Sequence, residues 1–551
     1  MGKTYVLLDA MGIQNYIFQT GRLKVILGAS LALAEWQQRC RDHAGQHGEI
    51  VTSAGGNVLA VYSGPDEDKA AVTAAQFRKE CIRDAPPGME IAWAETQAKA
   101  GEHDCNVWQR LQVELARYKA GDRPADDYPE KSQPGMPGCD FCGTRPRSAG
   151  GALKDSGTLR NACAVCRKLF LGASAFNKGK TGDTCLEKLL AVPAKLVADE
   201  KAGYPGSLER LVSYGGETED LMAVVVVDLN DMGNRIKNLV EQNSFHALKD
   251  FSEKLEMEVS ETIEAAIRSL WEDEKTRPLF SGQETEEAGT ASDASAKKWP
   301  ILRIAPLVAA GDDMIFALPA RLWPFFVSAL LSGLQQKKYP ACAGIAVAKH
   351  SFPVNRLVLM AEELAANAKG YVRYLSNGGQ SDAPAGKNNV PSSGVALDWH
   401  VHQETAFSSA LEARRRYSLV RLHSDRTALG TGRPYLLEDF QALLEEADLW
   451  RNAKGLTGRK LFALREAIAK GPEQTRETLV HVFLRNENDK LDKYVLLWNR
   501  LQGNENDDFP LWRKVRPDLI SSSETIFRTS VADLLELNEI REGLKRRNED
   551  D

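Results

Sequence analysis

The sequence lacks any apolar segment long enough to cross a membrane. No stretch approaches the ~18 consecutive apolar residues that a transmembrane helix needs, and the N-terminal run "MGKTYVLLDAMG" reaches Asp9 before it attains the apolar length of a signal peptide. The nine cysteines are an odd number, dispersed except for one group of four, which argues against a disulfide framework. These absences predict a cytoplasmic protein with no membrane contact.

Several catalytic signatures are also missing. There is no P-loop and no nucleophile elbow. His103-Asp104 is an HD dipeptide, but the upstream histidines His43 and His47 stand in a polar, Gly-containing stretch, so an HD phosphohydrolase is disfavoured. The formal net charge of -6 gives no global basic surface for nucleic acid, and the basic run at 414–416 is interpreted as a solvated helix face.

What the sequence does contain is an internal repeat. "YVLLDAMGIQNYI" and "TSAGGNVLAVY" in the N-terminal part are matched, in the same order, by "VVVVDLNDMGNRI" and "APLVAAGDDMIFALP". Aligning the turns places Gly56 opposite Asp312 and Asn57 opposite Asp313. Each copy is expected to run strand, helix, hairpin, helix, strand, helix, which is the βαββαβ order of a ferredoxin-like unit.

We therefore predict an α+β fold with two ferredoxin-like domains that form an intramolecular pseudo-dimer, a zinc-binding insertion and a mainly helical C-terminal part. At 551 residues the chain should divide into three or four domains. The predicted boundaries are 1–115 for the degenerate first copy, 116–218 for the zinc-binding and helical linker domain, 219–375 for the second copy, and 376–551 for a linker and the helical domain.

Four cysteines have the spacing of a zinc site. Cys139 and Cys142 form one CxxC pair, Cys163 and Cys166 form another, and 20 residues separate the pairs. Two such thiolate pairs close a tetrahedral zinc site with no open coordination position, so the metal should be structural. Neither pair lies in a thioredoxin-like pattern, which disfavours a redox dithiol.

Three carboxylates predict a second kind of metal site. Asp228 ends the predicted strand of the second copy, and Gly311-Asp312-Asp313 forms its hairpin turn. In a βαββαβ unit these two points lie at one edge of the sheet, where clustered carboxylates repel unless a divalent cation compensates them. Hard oxygen ligands select Mg²⁺ or Mn²⁺, and two such ions support phosphoryl transfer.

Two further residues of the second copy are candidates for nucleotide binding. A side chain at Gly311 would hinder the close approach of a triphosphate. Lys369 follows the fourth strand on a predicted helix, from which its ammonium could reach a phosphate, although an exposed helix lysine is almost as good an interpretation.

These motifs resemble those of the large polymerase-cyclase subunit of type III CRISPR effector complexes. The resemblance rests on two palm-like copies, on "GRLKVILGAS" (Gly21 to Ser30), on the CxxC…CxxC insertion, and on "DLNDMG" and "AGDDMIFALP". It implies two palm domains that face each other around two ATP molecules. The 3′-hydroxyl of one ATP would attack the α-phosphate of the other and build cyclic oligoadenylate, an antiviral second messenger.

The resemblance also implies roles for individual residues and for partners. Asp228, Asp312 and Asp313 would be the catalytic metal ligands, with the Leu229 carbonyl as an extra one, and Arg22 and Ser30 would contact ATP from the first palm. The partners would be other type III effector subunits, guide RNA and target RNA.

The chain departs from the family pattern in three places. Ala310 replaces the first glycine of Gly-Gly-Asp-Asp, Asn230 replaces the second acid of Asp-Gly-Asp, and the chain starts at the first palm, so no N-terminal HD nuclease domain is expected. Two alternatives stay open: a catalytically decayed scaffold that binds the guide-RNA complex, and a stand-alone enzyme similar to diguanylate cyclases.

Overall fold

The structure of the chain is a computed structural model. It describes residues 2–45, 48–65, 67–99, 101–121, 137–148, 150–155, 158–173, 185–199, 202–214, 217–218, 220–242, 244–285, 298–376, 394–402, 409–421, 426–451, 458–484, 513–515 and 525–542. The start of the linker predicted after position 376 lies outside these residues. None of the described helices is both long enough and apolar enough to cross a membrane.

The described strands are numbered β1 to β20 in chain order. They span Gly2–Met11, Glu49–Ala54, Asn57–Gly64, Glu90–Ala98, Ala152–Asp155, Thr158–Asn161, Ser213–Tyr214, Glu217–Thr218, Leu221–Leu229, Ser281–Thr285, Lys298–Leu302, Ala305–Ala310, Asp313–Pro319, Ala341–Lys349, Ala396–Val401, Leu419–Arg421, Arg426–Leu429, Tyr435–Leu436, Arg513–Val515 and Thr525–Arg528.

The described α-helices are numbered α1 to α18 in the same way. They span Ile13–Ile17, Leu23–Ala44, Glu67–Arg83, Asp104–Lys119, Ala164–Gly172, Cys185–Leu190, Val192–Val197, Leu208–Val212, Met232–Gln242, Phe245–Glu272, Arg277–Phe280, Trp323–Gln336, Val354–Ser376, Ala410–Ser418, Leu437–Arg451, Gly458–Lys470, Pro472–Leu484 and Val531–Glu542. A 3₁₀ turn at Ala320–Leu322 precedes α12.

The chain forms two compact units. The first contains Met1–Asp220, Asp231–Leu318 and His350–Asn355, and the second contains Leu221–Asn230, Pro319–Lys349 and Arg356–Asp551. The predicted four-domain boundaries remain a prediction.

The first unit contains a four-stranded antiparallel sheet in the order β2-β3-β1-β4. Together with the chain order β1, α1–α2, β2, β3, α3, β4, α4, this is the ferredoxin-like arrangement predicted for the first copy. Side chains of β1, β3 and β4, such as Leu7 and Leu59, form a buried core with Leu111 on α4 and Leu248 on α10. The alternating apolar residues of the strands supply this core.

The order of elements recurs later in the chain as β9, α9–α10, β12, β13, α12, β14, α13. In the second unit, β9, β14, β15 and β18 are successive neighbours of one sheet, with β14 antiparallel to β9 and parallel to β15. Trp323, Trp399 and Phe440 pack together with ring centroids 5.6 to 5.7 Å apart. This aromatic cluster is part of the buried core of the second unit.

One sequence interpretation is wrong in the C-terminal part. The basic run at 414–416 is not wholly a solvated face, because Arg414 is only 8% exposed. Its guanidinium makes a bidentate ion pair with the fully buried Asp398, with N–O distances of 2.6 and 3.0 Å. A second buried pair joins Arg433 to Asp533 on α18 at 2.9 Å. In each pair the opposite charge offsets part of the free-energy cost of removing a charged group from water.

Candidate functional site

Asp228 is the penultimate residue of β9. Val224, Val225 and Val227 are fully buried, whereas the Asp228 side chain is 36% exposed. Its backbone lies opposite Cys342 of β14. Lys369 on α13 donates a hydrogen bond from Nζ to Asp228 Oδ2. The lysine predicted to reach a phosphate thus contacts the predicted metal ligand within the second unit.

Asp312 and Asp313 lie at the tip of the β12–β13 hairpin in the first unit. Ala310 pairs with Asp313, which leaves Gly311 and Asp312 as a two-residue turn. Gly311 has φ of 66°, in the left-handed region that favours glycine. Asp312 is half-buried and Asp313 is exposed.

The first hairpin repeats this geometry. Ala54 pairs with Asn57 around Gly55-Gly56, as Ala310 pairs with Asp313. The strand register of each hairpin also shifts at an equivalent place, between Ile50 and Thr52 in the first copy and between Pro306 and Val308 in the second. Both the turn and the shift are offset by 256 positions (310 − 54 and 306 − 50). The alignment made from the sequence is therefore confirmed for the hairpins.

The two hairpin turns face each other within the first unit. A Cβ placed on Gly311 would lie 3.4 Å from both the Ala54 Cβ and the Gly55 nitrogen. Conversely, a Cβ placed on Gly55 would lie 3.6 Å from Asp312 Oδ1. A Cβ at either position would therefore be in ordinary van der Waals contact with the opposite turn. The turn that carries the acids thus lies against the corresponding turn of the first copy.

The first copy shows where a strand-end acid lies relative to its hairpin. Asp9, near the end of β1, is directly opposite Asn57 of β3 and Ala92 of β4. Asn57 corresponds to Asp313 in the repeat, and Asp228 corresponds to Asp9. The structure places Asp228 in the second unit and the turn acids in the first.

The two residues predicted to bind ATP from the first palm have structural contacts. The Ser30 hydroxyl is buried and donates a hydrogen bond to the Leu307 carbonyl of β12. Arg22 is the N-cap residue of α2, and its guanidinium lies 3.6 Å from Asp155 Oδ2. Ser30 therefore joins the helix of the first copy to the hairpin of the second, and nucleotide contact remains a prediction for both residues.

Residues next to Asp228 hold the end of β9 in place. Leu229 is buried and paired with Ala341 of β14. The Asn230 amide donates hydrogen bonds to the Gly394 carbonyl at 3.1 Å and to Cys342 Sγ at 3.4 Å. A carboxylate at position 230 could not donate either bond. Asn230 thus fixes the end of β9 against the Gly394 backbone.

The four cysteines form one cluster, as predicted. The Sγ atoms of Cys139, Cys142, Cys163 and Cys166 all lie within 4.8 Å of one another. Cys163 is the N-cap of α5 and accepts a hydrogen bond from the Cys166 backbone at 3.3 Å. Gly143, with φ of 71°, forms the bend after the first pair. Backbone N–H groups that point at sulfur stabilise thiolates.

The electrostatics of the cluster fit a thiophilic cation. A hydrogen bond with Cys163 lowers the pKa of Cys142, whereas a hydrogen bond with Cys142 raises the pKa of Cys166. Cys142 is thus favoured as a thiolate and Cys166 as a thiol. A bound divalent ion stabilises all four as thiolates, and a four-sulfur donor set suits zinc.

Comparisons with known proteins give matches among solved structures alone. No protein-family model matches the chain, and no curated protein matches it significantly. The chain is similar to a Csm1-Csm4 cassette in complex with cA4, with 13% identity, a TM-score of 0.47, and 98% and 70% of the two chains covered. It is also similar to a type III-B Cmr-beta complex in the apo state, with 9% identity, a TM-score of 0.48, and 99% and 82% covered. A third is the Csm1-Csm4 subcomplex in the type III-A CRISPR-Csm interference complex, with 14% identity, a TM-score of 0.42, and 89% and 67% covered.

The HD dipeptide has a local structural role. Asp104 Oδ2 accepts a hydrogen bond from the Phe245 backbone at 2.8 Å, at the start of α10. This carboxylate satisfies one of the free N–H groups of the helix N-terminus. His103 is the N-cap residue of α4. The exclusion of a phosphohydrolase site at this dipeptide remains a prediction.

Sequence reasoning missed one residue of the repeat. Lys119, the last residue of α4, donates a hydrogen bond to Asp9 Oδ2 at 2.7 Å. Its position matches that of Lys369. Asp9 lies opposite Ala92 and Asp228 lies opposite Cys342, and each lysine follows that opposite residue by 27 positions (119 − 92 and 369 − 342). Extending the alignment beyond the hairpins to the last helix of each copy would have found it.

Proposed function

We propose that the chain is a metal-dependent nucleotidyltransferase that converts ATP into cyclic oligoadenylate. The observation that carries the proposal is the pair of equivalent hairpin turns facing each other, only one of which is acidic. The turn of the first copy has Gly56 and Asn57, where the turn of the second has Asp312 and Asp313. Two copies that share the strand pairing of their hairpins but differ in their acids suit one catalytic half-site and one substrate-holding half-site.

In this proposal Asp228, Asp312 and Asp313 hold the metal ions. The register of the first copy supports their convergence, because Asp9 lies opposite Asn57 there and Asp313 is the counterpart of Asn57. These side chains fit Mg²⁺ or Mn²⁺, since all three offer hard carboxylate oxygens. When bound, the ions would supply charge neutralisation at the transferring phosphoryl group and activation of the attacking hydroxyl.

The chain's own residues would bind and orient the two nucleotides. Gly311 would allow the turn backbone to approach a triphosphate, and the Leu229 carbonyl, next to Asp228, would be a further oxygen ligand. Lys369 would contact a phosphate as a point charge. Ser30 and Arg22 would contribute from the helix of the first copy.

We further propose that the protein acts with type III CRISPR effector subunits, guide RNA and target RNA, and that the cysteine cluster binds structural zinc. The sequence motifs carry this part of the proposal. The zinc would fix the position of α5, which packs closely on α2: a Cβ on Gly28 of α2 would lie 2.0 Å from the Leu169 carbonyl. The metal would thereby support the helix that carries Arg22 and Ser30.

Product analysis tests the activity. Purified protein, alone and with a guide complex and target RNA, is incubated with each NTP and Mg²⁺ or Mn²⁺, and the products are identified by mass spectrometry. We expect cyclic oligoadenylate from ATP, and its loss in a D312A/D313A double variant. A D104A variant serves as the matched carboxylate control and should retain activity.

Each negative result has a defined meaning. If no nucleotide product forms under any condition and the double variant binds ATP as tightly as the wild type, the enzyme proposal is wrong and the scaffold alternative is favoured. A product made from GTP alone would favour the alternative related to diguanylate cyclases.

A further inference from the structure

We propose that Lys369 is a tethered counter-cation that occupies Asp228 in the absence of metal and must leave it when a divalent ion binds. The inference rests on the proposed function, because it assumes that Asp228 is a metal ligand. It assigns Lys369 a role beyond phosphate contact: the lysine competes with the metal for one carboxylate.

Lys369 and Asp228 are in direct contact. Lys369 lies in the last third of α13, with its side chain 20% exposed, and its ammonium is bonded to Asp228 Oδ2. A divalent ion bound to that oxygen would carry a positive charge within about 4 Å of the ammonium, where two like charges repel strongly. Metal and ammonium therefore cannot share the oxygen without a large penalty.

The first copy contains an equivalent contact between a lysine and the strand-end acid. Lys119 bonds Asp9 from the equivalent helix position. In that copy the hairpin turn carries no acid, so one ammonium fully compensates the single carboxylate. In the second copy the turn carries Asp312 and Asp313, which the proposed function makes ligands of the same metal ions as Asp228. The equivalent lysines thus have different consequences: Lys119 is a permanent counter-ion, and Lys369 is exchangeable.

The released ammonium can bind a nucleotide phosphate. A lysine has three donors on a flexible four-carbon stem, so Lys369 can move from Asp228 to a nucleotide phosphate without displacing α13. Nucleotide and metal would then bind together more readily than metal alone.

The test measures Mn²⁺ affinity of the full-length, zinc-loaded chain by electron paramagnetic resonance, without nucleotide. K369M should bind Mn²⁺ about fivefold more tightly than the wild type, the effect expected for removing one partly exposed charge contact. K369R keeps the charge and should remain near the wild type. R373M removes an exposed charge one turn further along α13 and should change the affinity by less than about twofold.

A second measurement separates this role from a merely structural one. At saturating Mn²⁺, K369M should weaken binding of a non-hydrolysable ATP analogue, because the phosphate contact is lost. Opposite changes in the two affinities are the signature of a lysine that moves between carboxylate and phosphate. D9N should leave Mn²⁺ binding unchanged, since Lys119 already compensates that acid.

The outcomes distinguish the inference from the proposed function. If D228N weakens Mn²⁺ binding but K369M leaves it unchanged or weaker, the inference is wrong and the metal site stands. Tightening by R373M equal to that by K369M, or loss of Mn²⁺ binding in D9N, would also overturn it. If D228N has no effect on Mn²⁺ binding, the proposed metal site itself fails.

Discussion

Substitution of Gly344 by alanine should displace the helix that carries Lys369. Gly344 lies in the middle of β14, and a Cβ there would be 1.9 Å from the Ala361 carbonyl oxygen and 2.4 Å from the Ala365 nitrogen of α13. Ordinary contact begins at 3.4 Å, so the helix backbone must retreat by roughly 1.5 Å. A gap of 0.5–1 Å already forfeits about a quarter to a half of the dispersion attraction across a packed surface.

The expected cost of G344A is about 3 kcal/mol, at the upper end of the range for overpacking, because the clash is with rigid backbone and not with a flexible side chain. The matched control is G370A on the same helix. A Cβ on Gly370 meets nothing within 4 Å, so helix propensity alone should stabilise that variant by about 0.5–1 kcal/mol.

Hydrogen exchange by mass spectrometry measures the effect locally, which matters because a chain with two units need not unfold in a single transition. Peptides covering β14 and α13 should exchange roughly 100-fold faster in G344A, since each 1.4 kcal/mol is about a factor of ten. Peptides from β1 to β4 should be unchanged. If G344A exchanges like the wild type in β14 and α13, the close approach of helix and strand is refuted.

Two further predictions concern other parts of the chain. C163S should reduce bound zinc from about one ion per chain to a small fraction, as measured by elemental analysis. C105S, which lies outside the cluster, should retain its zinc. Equal zinc content in the two variants would contradict the four-thiolate site. Burial lowers the pKa of His400 from 6.5 to about 3. Below pH 6.5 the histidine therefore binds a proton in the unfolded chain but stays neutral in the folded chain. The free energy of unfolding should fall as the pH drops from about 6.5 towards 3. H400Q should flatten this decline in urea unfolding, and a variant that declines in parallel with the wild type would disprove the assignment.

The parts of the site that depend on short-range patterns were predictable from the sequence. The valine run identifies β9 because a strand covered on both faces needs continuous apolar residues. The cysteine spacing identifies the cluster because each CxxC pair is brought together by its own local turn. Gly311 follows from the need for positive φ in a two-residue hairpin turn.

Features that depend on tertiary partners were not predictable. Arg414 belongs to a basic run that has the pattern of a solvated helix face, and only the arrangement of α14 beside β15 makes it the partner of Asp398. In the sequence, Asn230 is interpreted as the replacement of an acid, whereas in the structure its amide donates a hydrogen bond to the Gly394 carbonyl. The sequence does not distinguish Lys119 from other lysines, because its contact with Asp9 depends on the register of β1 and β4.

The difference between the two copies extends to the backbone of their turns. In the first turn both Gly55 and Gly56 have positive φ, 57° and 80°, as in a type I′ turn, whereas in the second only Gly311 does, as in a type II′ turn. A Cβ at Gly56 would lie 2.3 Å from Ile13 Cδ1. An aspartate at position 56 would therefore require both a left-handed φ and a shift of the flexible end of the Ile13 side chain. The asymmetry between a turn with acids and a turn without them is thus reflected in the conformation of the hairpins as well as in their side chains.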